Sequence, residues 1–376
     1  MPLRMRSTQH IRKGGGTHKG YISGSLVANS SVPDYTDYYA VSLDESGSPH
    51  IDHILAINKK RIVMDPLNGV WPSSTDPARS EMDNWVPDND AIWNPQHLDL
   101  EHPVSNVQAA TEVLFRTNPN KYAINGPVSF LELRELPSLL KLQGDNIIEN
   151  AAGGYLSWQF GWKPLISDLK KLLDFNGLVN KKVGEIHALY QKGGLHRGRS
   201  FGTVHTEHSE TFGPVYSWQG KSMSLNMSVT TSVEKWATVR WHPSSLPPKD
   251  NAATRRAAIR IVYGLELSAS NVWEAIPWSW LIDWFSNVGT YLAAHNNVVP
   301  VVPSTPCIMA RTTTVRKFRP IFTNCKFDGG YGHNTLQSKS RILQGAGLSA
   351  TMPFLTARQL SILGSLAILR LPGKGR

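Results

Sequence analysis

The apolar residues of this chain repeat with one period before residue 199 and another after it, and no single regular element satisfies both. Beyond Pro164, the residues Leu165, Leu169, Leu172, Leu173, Val179, Val183, Ile186 and Tyr190 recur at the spacing of one helix face. Pro164 suits the opening turn of a helix, where its missing N–H loses no hydrogen bond. Gly177 is the weak point where this helix is expected to bend or break. From Arg199 the period falls to two. Met223, Leu225, Met227 and Val229 alternate with Ser222, Ser224, Asn226, Ser228 and Thr230, and Lys235, Ala237, Val239 and Trp241 alternate with Glu234, Trp236, Thr238 and Arg240. That pattern predicts a pair of antiparallel strands with one face packed and one wet.

The remainder sorts in the same way. Residues 1–20 read as a flexible basic arm, with Gly14, Gly15 and Gly16 following Arg12 and Lys13. Short strands are predicted over 38–43, 53–57 and 61–64, then surface loops rich in Pro, Asp and Asn over 65–103. A helix is predicted over 105–116, ended by Asn118-Pro119, and helical character over 129–142, with Pro137 as a kink or fresh start. Another helical section runs over 272–295. Strands return at 312–318 and 335–343, and 356–369 is an apolar helix that needs neighbours on nearly all sides. The predicted fold class is α+β, with both parts built from discontinuous segments. A helical bundle region takes 129–196, 266–299 and 351–376; an antiparallel β-sheet region takes 21–128, 197–265 and 300–350.

The net charge of +10 is unevenly spread: residues 1–20 carry +5, residues 34–101 carry −9, and residues 102–376 carry +14. A basic body beside an acidic block suggests two surfaces with different partners, one of them a polyanion. The basic clusters are Lys170/Lys171, Lys181/Lys182, Arg197/Arg199, Arg255/Arg256/Arg260 and Arg311/Arg316/Lys317/Arg319. Over 255–260, arginines four or five residues apart share a helix face and are placed to grip consecutive phosphates. Cys307 and Cys325 are too few for a disulfide framework or a cysteine zinc site, and reduced, packed thiols are expected. The first residues lack the apolar run of a signal peptide, and no uncharged apolar stretch is long enough for a membrane span.

Motifs for chemistry are missing from the sequence. GGGTHKG lacks the Gly-Lys-Ser/Thr ending of a phosphate loop. In HTEH, strand alternation sends His205 and Glu207 to one face and His208 to the other, which defeats a local metal site. No nucleophile elbow or Cys–His pairing stands out. Asp283, set among aromatic rings, reads as a hydrogen-bonding acid without the partner a catalyst needs. No metal, no cofactor and no catalytic residue are therefore expected.

Two tryptophan-rich blocks hold six of the twelve tryptophans: Trp158 and Trp162 in the first, and Trp273, Trp278, Trp280 and Trp284 in the second. Core packing is their expected role, ahead of stacking on bases. The run QFGWKPLISDL (159–169), preceded by SFLELRELPSLLKL (129–142), and the later IPWSWLIDWFSNVG (276–289) carry a resemblance. They resemble the maturation, or A, proteins of small single-stranded RNA bacteriophages, clearly over 130–192 and 273–289 and more faintly in the last helix.

The resemblance implies an elongated virion component, made in the host bacterial cytoplasm. It implies one copy in place of a coat-protein dimer, bound to the viral genomic RNA, attached to a bacterial pilus, and entering the host with the RNA. The expected RNA-binding residues are Lys163, Lys170, Lys171, Lys181 and Lys182, with Arg255, Arg256 and Arg260 as secondary candidates. Charge segregation makes Asp83, Asp88 and Asp90 the candidates for receptor contact. Two alternatives remain at this point: a non-viral RNA-binding protein, and a hydrolase using scattered carboxylates such as Asp52, Glu101 and Asp283.

Overall fold

Strict two-residue alternation organises the structure. A computed structural model describes residues 3–45, 53–71, 78–123, 154–155, 158–159, 163–264, 273, 279–295, 299–349 and 356–370. Within it, β8 (Leu195–Trp218) and β9 (Lys221–Pro243) are joined by Gln219 and Gly220, with φ of 46° and 71°. Two central residues at positive φ make a two-residue turn whose twist suits a hairpin. Every odd residue of β9 from Lys221 to Trp241 is buried and none of the even ones is. The two predicted strands of this region are thus one strand of 23 residues.

Contacts divide the chain into two compact units: Met1–Ser105, Ser200–Trp236 and Cys307–Leu343 in the first, and Asn106–Arg199, Ala237–Pro306 and Gln344–Arg376 in the second. In the first unit one sheet runs in the order β1 (Leu3–Arg12), β4 (Tyr35–Glu45), β5 (Leu55–Met64), β12 (Gly332–Leu343), β11 (Cys307–Thr323), β9, with β8 beside β9. A second sheet has the order β3 (Ser25–Ser31), β2 (Thr17–Ile22), β7 (Ala78–Trp85), β6 (Leu67–Trp71). Between them lies a core of Met223, Leu225 and Met227 from β9, Ile62 and Met64 from β5, Phe318 from β11, and Leu67 and Met82 from the second sheet. Each fully buried side chain of this size contributes roughly 1.5–3 kcal/mol. Gly20 of β2 leaves room for the Trp218 ring, which would stand 2.6 Å from a Cβ there. Tyr216 lies 2.8 Å from Ser80 Oγ and 3.1 Å from His18 Nε2, and its burial pushes the phenol up to about 12.

Beyond the second sheet, the packed face is covered by residues 93–104, which begin at the last residue of the short helix α1 (Asp90–Trp93). Three cations pin this strap by its carbonyls. Lys60 Nζ donates to Trp93 O at 2.8 Å, Arg316 to Gln96 O, and Lys235 Nζ to Val104 O at 2.6 Å. Burial lowers the pKa of all three. Between them His97 stands 2.8 Å from Thr314 Oγ1 and 2.9 Å from Ser338 Oγ, while Thr314 Oγ1 is 2.6 Å from Thr231 Oγ1. Hydroxyls both donate and accept, so a neutral imidazole satisfies both contacts.

The second unit holds α2 (Asn106–Thr117), α3 (Lys163–Leu173), α4 (Phe175–Gln191), α5 (Asn251–Tyr263), α6 (Ser279–Ile282), α7 (Val288–Ala294), α8 (Ala357–Arg370) and β10 (Val301–Pro303), which pairs with residues 241–243 of β9. Its centre is the segment after α2. Asn118 Nδ2 donates to Ala294 O at 3.1 Å; Asn120 donates to Val299 O at 3.0 Å and accepts from Val299 N at 2.6 Å; Thr117 Oγ1 accepts from the Trp241 indole at 3.0 Å. Asp283 accepts from Trp273 Nε1 at 3.1 Å and from Gly289 N at 2.9 Å, and a Cβ at Gly289 would stand 2.5 Å from that carboxylate.

The structure corrects several expectations. Among the described residues strand outweighs helix, so the helical bundle gives way to two antiparallel sheets with helices packed in smaller groups. Among the described residues α4 packs on α5, and α2 on α7; the apolar stripes are real, but they close over strands, loops and single neighbouring helices. Residues 3–12 form the edge strand β1, paired with β4 from Leu3↔Glu45 to Arg12↔Tyr35, rather than a flexible arm. The predicted loops over 65–103 contain β6 and β7. The long helix divides at Asp174, not at Gly177, whose missing Cβ leaves space for the Asp174 carboxylate 2.3 Å away. Residues 129–142 lie outside the described residues.

Burial lowers the His97 pKa, with the Arg316 charge acting in the same direction. A depressed folded value means that its stabilising contribution is complete above the ordinary imidazole pKa of about 6.5 and is lost as the pH falls through the folded value. His18 and His102 shift the same way. The urea midpoint should therefore fall between about pH 7.5 and about pH 5.5. His97→Gln should shrink that fall without abolishing it; an undiminished fall would remove His97 from the account.

Candidate nucleic-acid interface

Helices α4 and α5 leave four of the eight expected cations exposed: Lys181, Arg255, Arg256 and Arg260. Asp250 caps α5, its carboxylate accepting from Ala253 N at 2.6 Å, and Gly264 ends it in the left-handed region at φ 61°. Phe175 of α4 meets Tyr263 of α5 with ring centroids 4.7 Å apart, while Tyr190 at the other end of α4 lies 3.3 Å from Ser245 Oγ, just ahead of α5. The two helices therefore run antiparallel. Arg255 reaches across to Asn180 Oδ1 at 3.2 Å and Asn176 Oδ1 at 3.5 Å, and Lys181, Arg255, Arg256 and Arg260 are exposed. On α3, Lys163 and Lys170 are exposed and Lys171 is half-buried.

Lys182 does not belong to this surface. Its ammonium donates to Pro119 O at 3.1 Å and to Glu185 Oε2 at 2.8 Å, and Arg197 approaches the other Glu185 oxygen at 3.5 Å. Burial works to raise the Glu185 carboxyl, yet the two cations outweigh it and hold it below the usual carboxylate range. The Lys181/Lys182 pair is split by helix geometry, one side chain outward and one into the fold.

Strand geometry splits the cluster at 311–319 in the same way. Arg316 points into the packed face, with Thr314 and Phe318; Arg311, Lys317 and Arg319 stand on the opposite, open face, where Arg311 pairs with Glu234. Lys59 and Arg61 of β5, and Lys339 and Arg341 of β12, share that open face by register and were not singled out in the sequence. The signal was there: Lys-x-Arg at 59–61, 317–319 and 339–341, each in a strand that sets residues i and i+2 on one side.

The expected receptor acids are exposed and local. Asp83 lies in β7 opposite Thr17, Asp88 precedes α1, and Asp90 opens it while accepting from Asn94 Nδ2 at 2.8 Å. The hydrolase alternative finds no support among the described residues. Asp283 has both oxygens engaged, Glu101 is exposed near Lys235, and Asp52 lies outside the described residues. His205, Glu207 and His208 are exposed, with His208 facing Glu210 at 3.7 Å. No group of His, Cys, Asp and Glu among the described residues is placed to hold a metal ion, and none of their helices is long and apolar enough to cross a membrane.

Trp273 and Trp284 are half-buried and Trp158 is 51% exposed, while Trp162 and Trp278 lie outside the described residues. Within the second tryptophan block, Trp273 is tied through Asp283 to the backbone of Gly289. No curated protein matches the chain. The sequence model of one family does, over residues 130–310, a span that takes in both tryptophan blocks and the α4–α5 pair, and its description is phage maturation protein. Over that span, just under half of the chain, the sequence is similar to the phage maturation protein family.

Proposed function

We propose that this chain binds the genomic RNA of its phage and attaches the particle to a host pilus, entering with the RNA and acting without catalysis. The match to that family over residues 130–310 supports a place as a structural component of the virion. The observation that carries the RNA reading is the cationic surface of α3, α4 and α5, contributed by Lys163, Lys170, Lys171, Lys181, Arg255, Arg256 and Arg260. Phosphate contacts of this kind position a folded RNA without reading its sequence. Asn176 and Asn180 hold the Arg255 guanidinium toward one edge of α4, so part of the surface is pre-ordered. Synthesis in the bacterial cytoplasm and a place in the shell beside coat protein complete the reading.

Replacing Lys163, Lys170, Lys171 and Lys181 together by Gln should weaken binding of the 3′ genomic RNA at least tenfold. The slope of log affinity against log salt should fall by about 0.7–0.9 for each phosphate that the variant leaves unneutralised. Unchanged affinity and slope would reject the helical surface. Lys182→Gln should instead lower the thermal midpoint, because it removes the partner of Pro119 O and Glu185.

Receptor contact is assigned to the acidic segment of the first unit. Reversing Asp83, Asp88 and Asp90 to Lys should reduce adsorption of particles to piliated cells while leaving RNA content unchanged. Normal adsorption would reject these acids.

A further inference from the structure

The open face of the large sheet carries a second cationic feature, separate in the chain from α3–α5. Three adjacent strands, β5, β12 and β11, contain no Asp or Glu at all. Each presents a Lys-x-Arg pair on the same side: Lys59 and Arg61, Lys339 and Arg341, Lys317 and Arg319. The pairings Lys59↔Gln337, Arg61↔Thr335, Lys317↔His333 and Lys339↔Ile57 set their order along the strand direction. In that order they are Arg319, Lys317, Arg61, Lys59, Lys339, Arg341. One cation of these pairs therefore stands at each of six successive two-residue steps, and at the Lys339 step Arg311 stands opposite it on β11.

Two residues of strand advance about 6.6 Å, and three strands span about 10 Å, so the six form a track roughly 33 Å long and narrow in proportion. Their neighbours on the packed face, Lys60 and Arg316, donate to the strap; the track residues face away from it. Two acids pair on this face: Glu234 with Arg311, beside the Lys339 step, and Asp44 with Arg4 at the β1 edge of the sheet. The Nε of Arg341 is shut off from solvent and has no hydrogen-bond acceptor. At the Arg319 end, the track opens into a cavity of about 700 Å³ lined by Asn226, Ser228, Lys317, Arg319, Tyr331 and His333. Tyr331 is 54% exposed there.

We propose that this face binds a single-stranded segment of RNA, with phosphates on the six cations and one base in the cavity against Tyr331. A regular row of positive charges fits the regular charge of a nucleic-acid backbone. The cavity decides between a nucleic acid and an acidic protein. It joins an aromatic face to the amide of Asn226 and the hydroxyl of Ser228, which is what an unstacked base requires and an acidic side chain does not. The site rests on the reading of the chain as an RNA-binding protein, but on none of the helical residues assigned above.

The test uses the full chain and a labelled oligouridylate of roughly 12 nucleotides, a length one such platform covers, with polyglutamate as the acidic competitor. Substituting Lys59, Arg61, Lys317 and Arg319 by Gln should weaken oligouridylate binding at least tenfold and flatten its salt dependence, at an unchanged thermal midpoint. Tyr331→Ala should weaken it about fivefold or more at an unchanged salt slope, the range expected when one base stack is removed. The chain carrying the four Gln substitutions in α3 and α4 should still bind. Two results would overturn the proposal: full oligouridylate binding by the sheet variant, or displacement by polyglutamate together with no effect of Tyr331→Ala. If the sheet variant binds fully while the helix variant does not, only the sheet site falls; if the unsubstituted chain binds no RNA of either kind, the reading beneath it falls as well.

Discussion

The first unit depends on how three cations on the packed face of its large sheet, Lys235 buried and Lys60 and Arg316 half-buried, are satisfied. Lys60, Lys235 and Arg316 sit on the packed side of the large sheet and donate to the main-chain carbonyls of residues 93–104. Burying a charge without a partner is far costlier than burying a hydrogen-bonded one, so these contacts fix where the strap lies. With His97 wedged between Thr314 and Ser338, the strap covers the part of the sheet that the four-stranded layer leaves open. One face is closed as a result, and the other is left to solvent with its own cations.

That division shows what was legible in the sequence. The alternations over 222–230 and 234–241 match the burial of β9 residue by residue, although they belong to one strand rather than two, because a strand with one dry face records its environment in every side chain. The helix over 105–116 was legible for the same reason, and so was the role of Asp283 as a hydrogen-bonding acid. What the residues could not show was which surface each apolar stripe would close against. Periodicity reports that a face is buried, not its partner, and so the helices read as one bundle. The N-terminal strand was hidden by its exposure: all ten residues of β1 are solvent-accessible, as suits an edge strand.

The cations were the hardest to read. A run such as Lys59-Lys60-Arg61 counts as one cluster in a sequence, yet a strand sends its middle member inward and the other two outward. Arg316 and Lys317 part in the same way, and Lys181 and Lys182 part on a helix. The buried members stabilise the fold, while the exposed members are available to a polyanion. Of the motif residues described, Asp283 ties Trp273 to the backbone of Gly289, while Lys163 stands exposed at the start of α3.

Lysine acylation of the free chain, followed by peptide mapping, tests this division most directly, because Lys59 and Lys60 are neighbours in sequence and differ only in the face they occupy. Lys59 and Lys317 should be modified rapidly, and Lys60 and Lys235 only when the chain unfolds. Equal reactivity of Lys59 and Lys60 in the folded chain would contradict the strap, and with it the separation of a closed face from an open one.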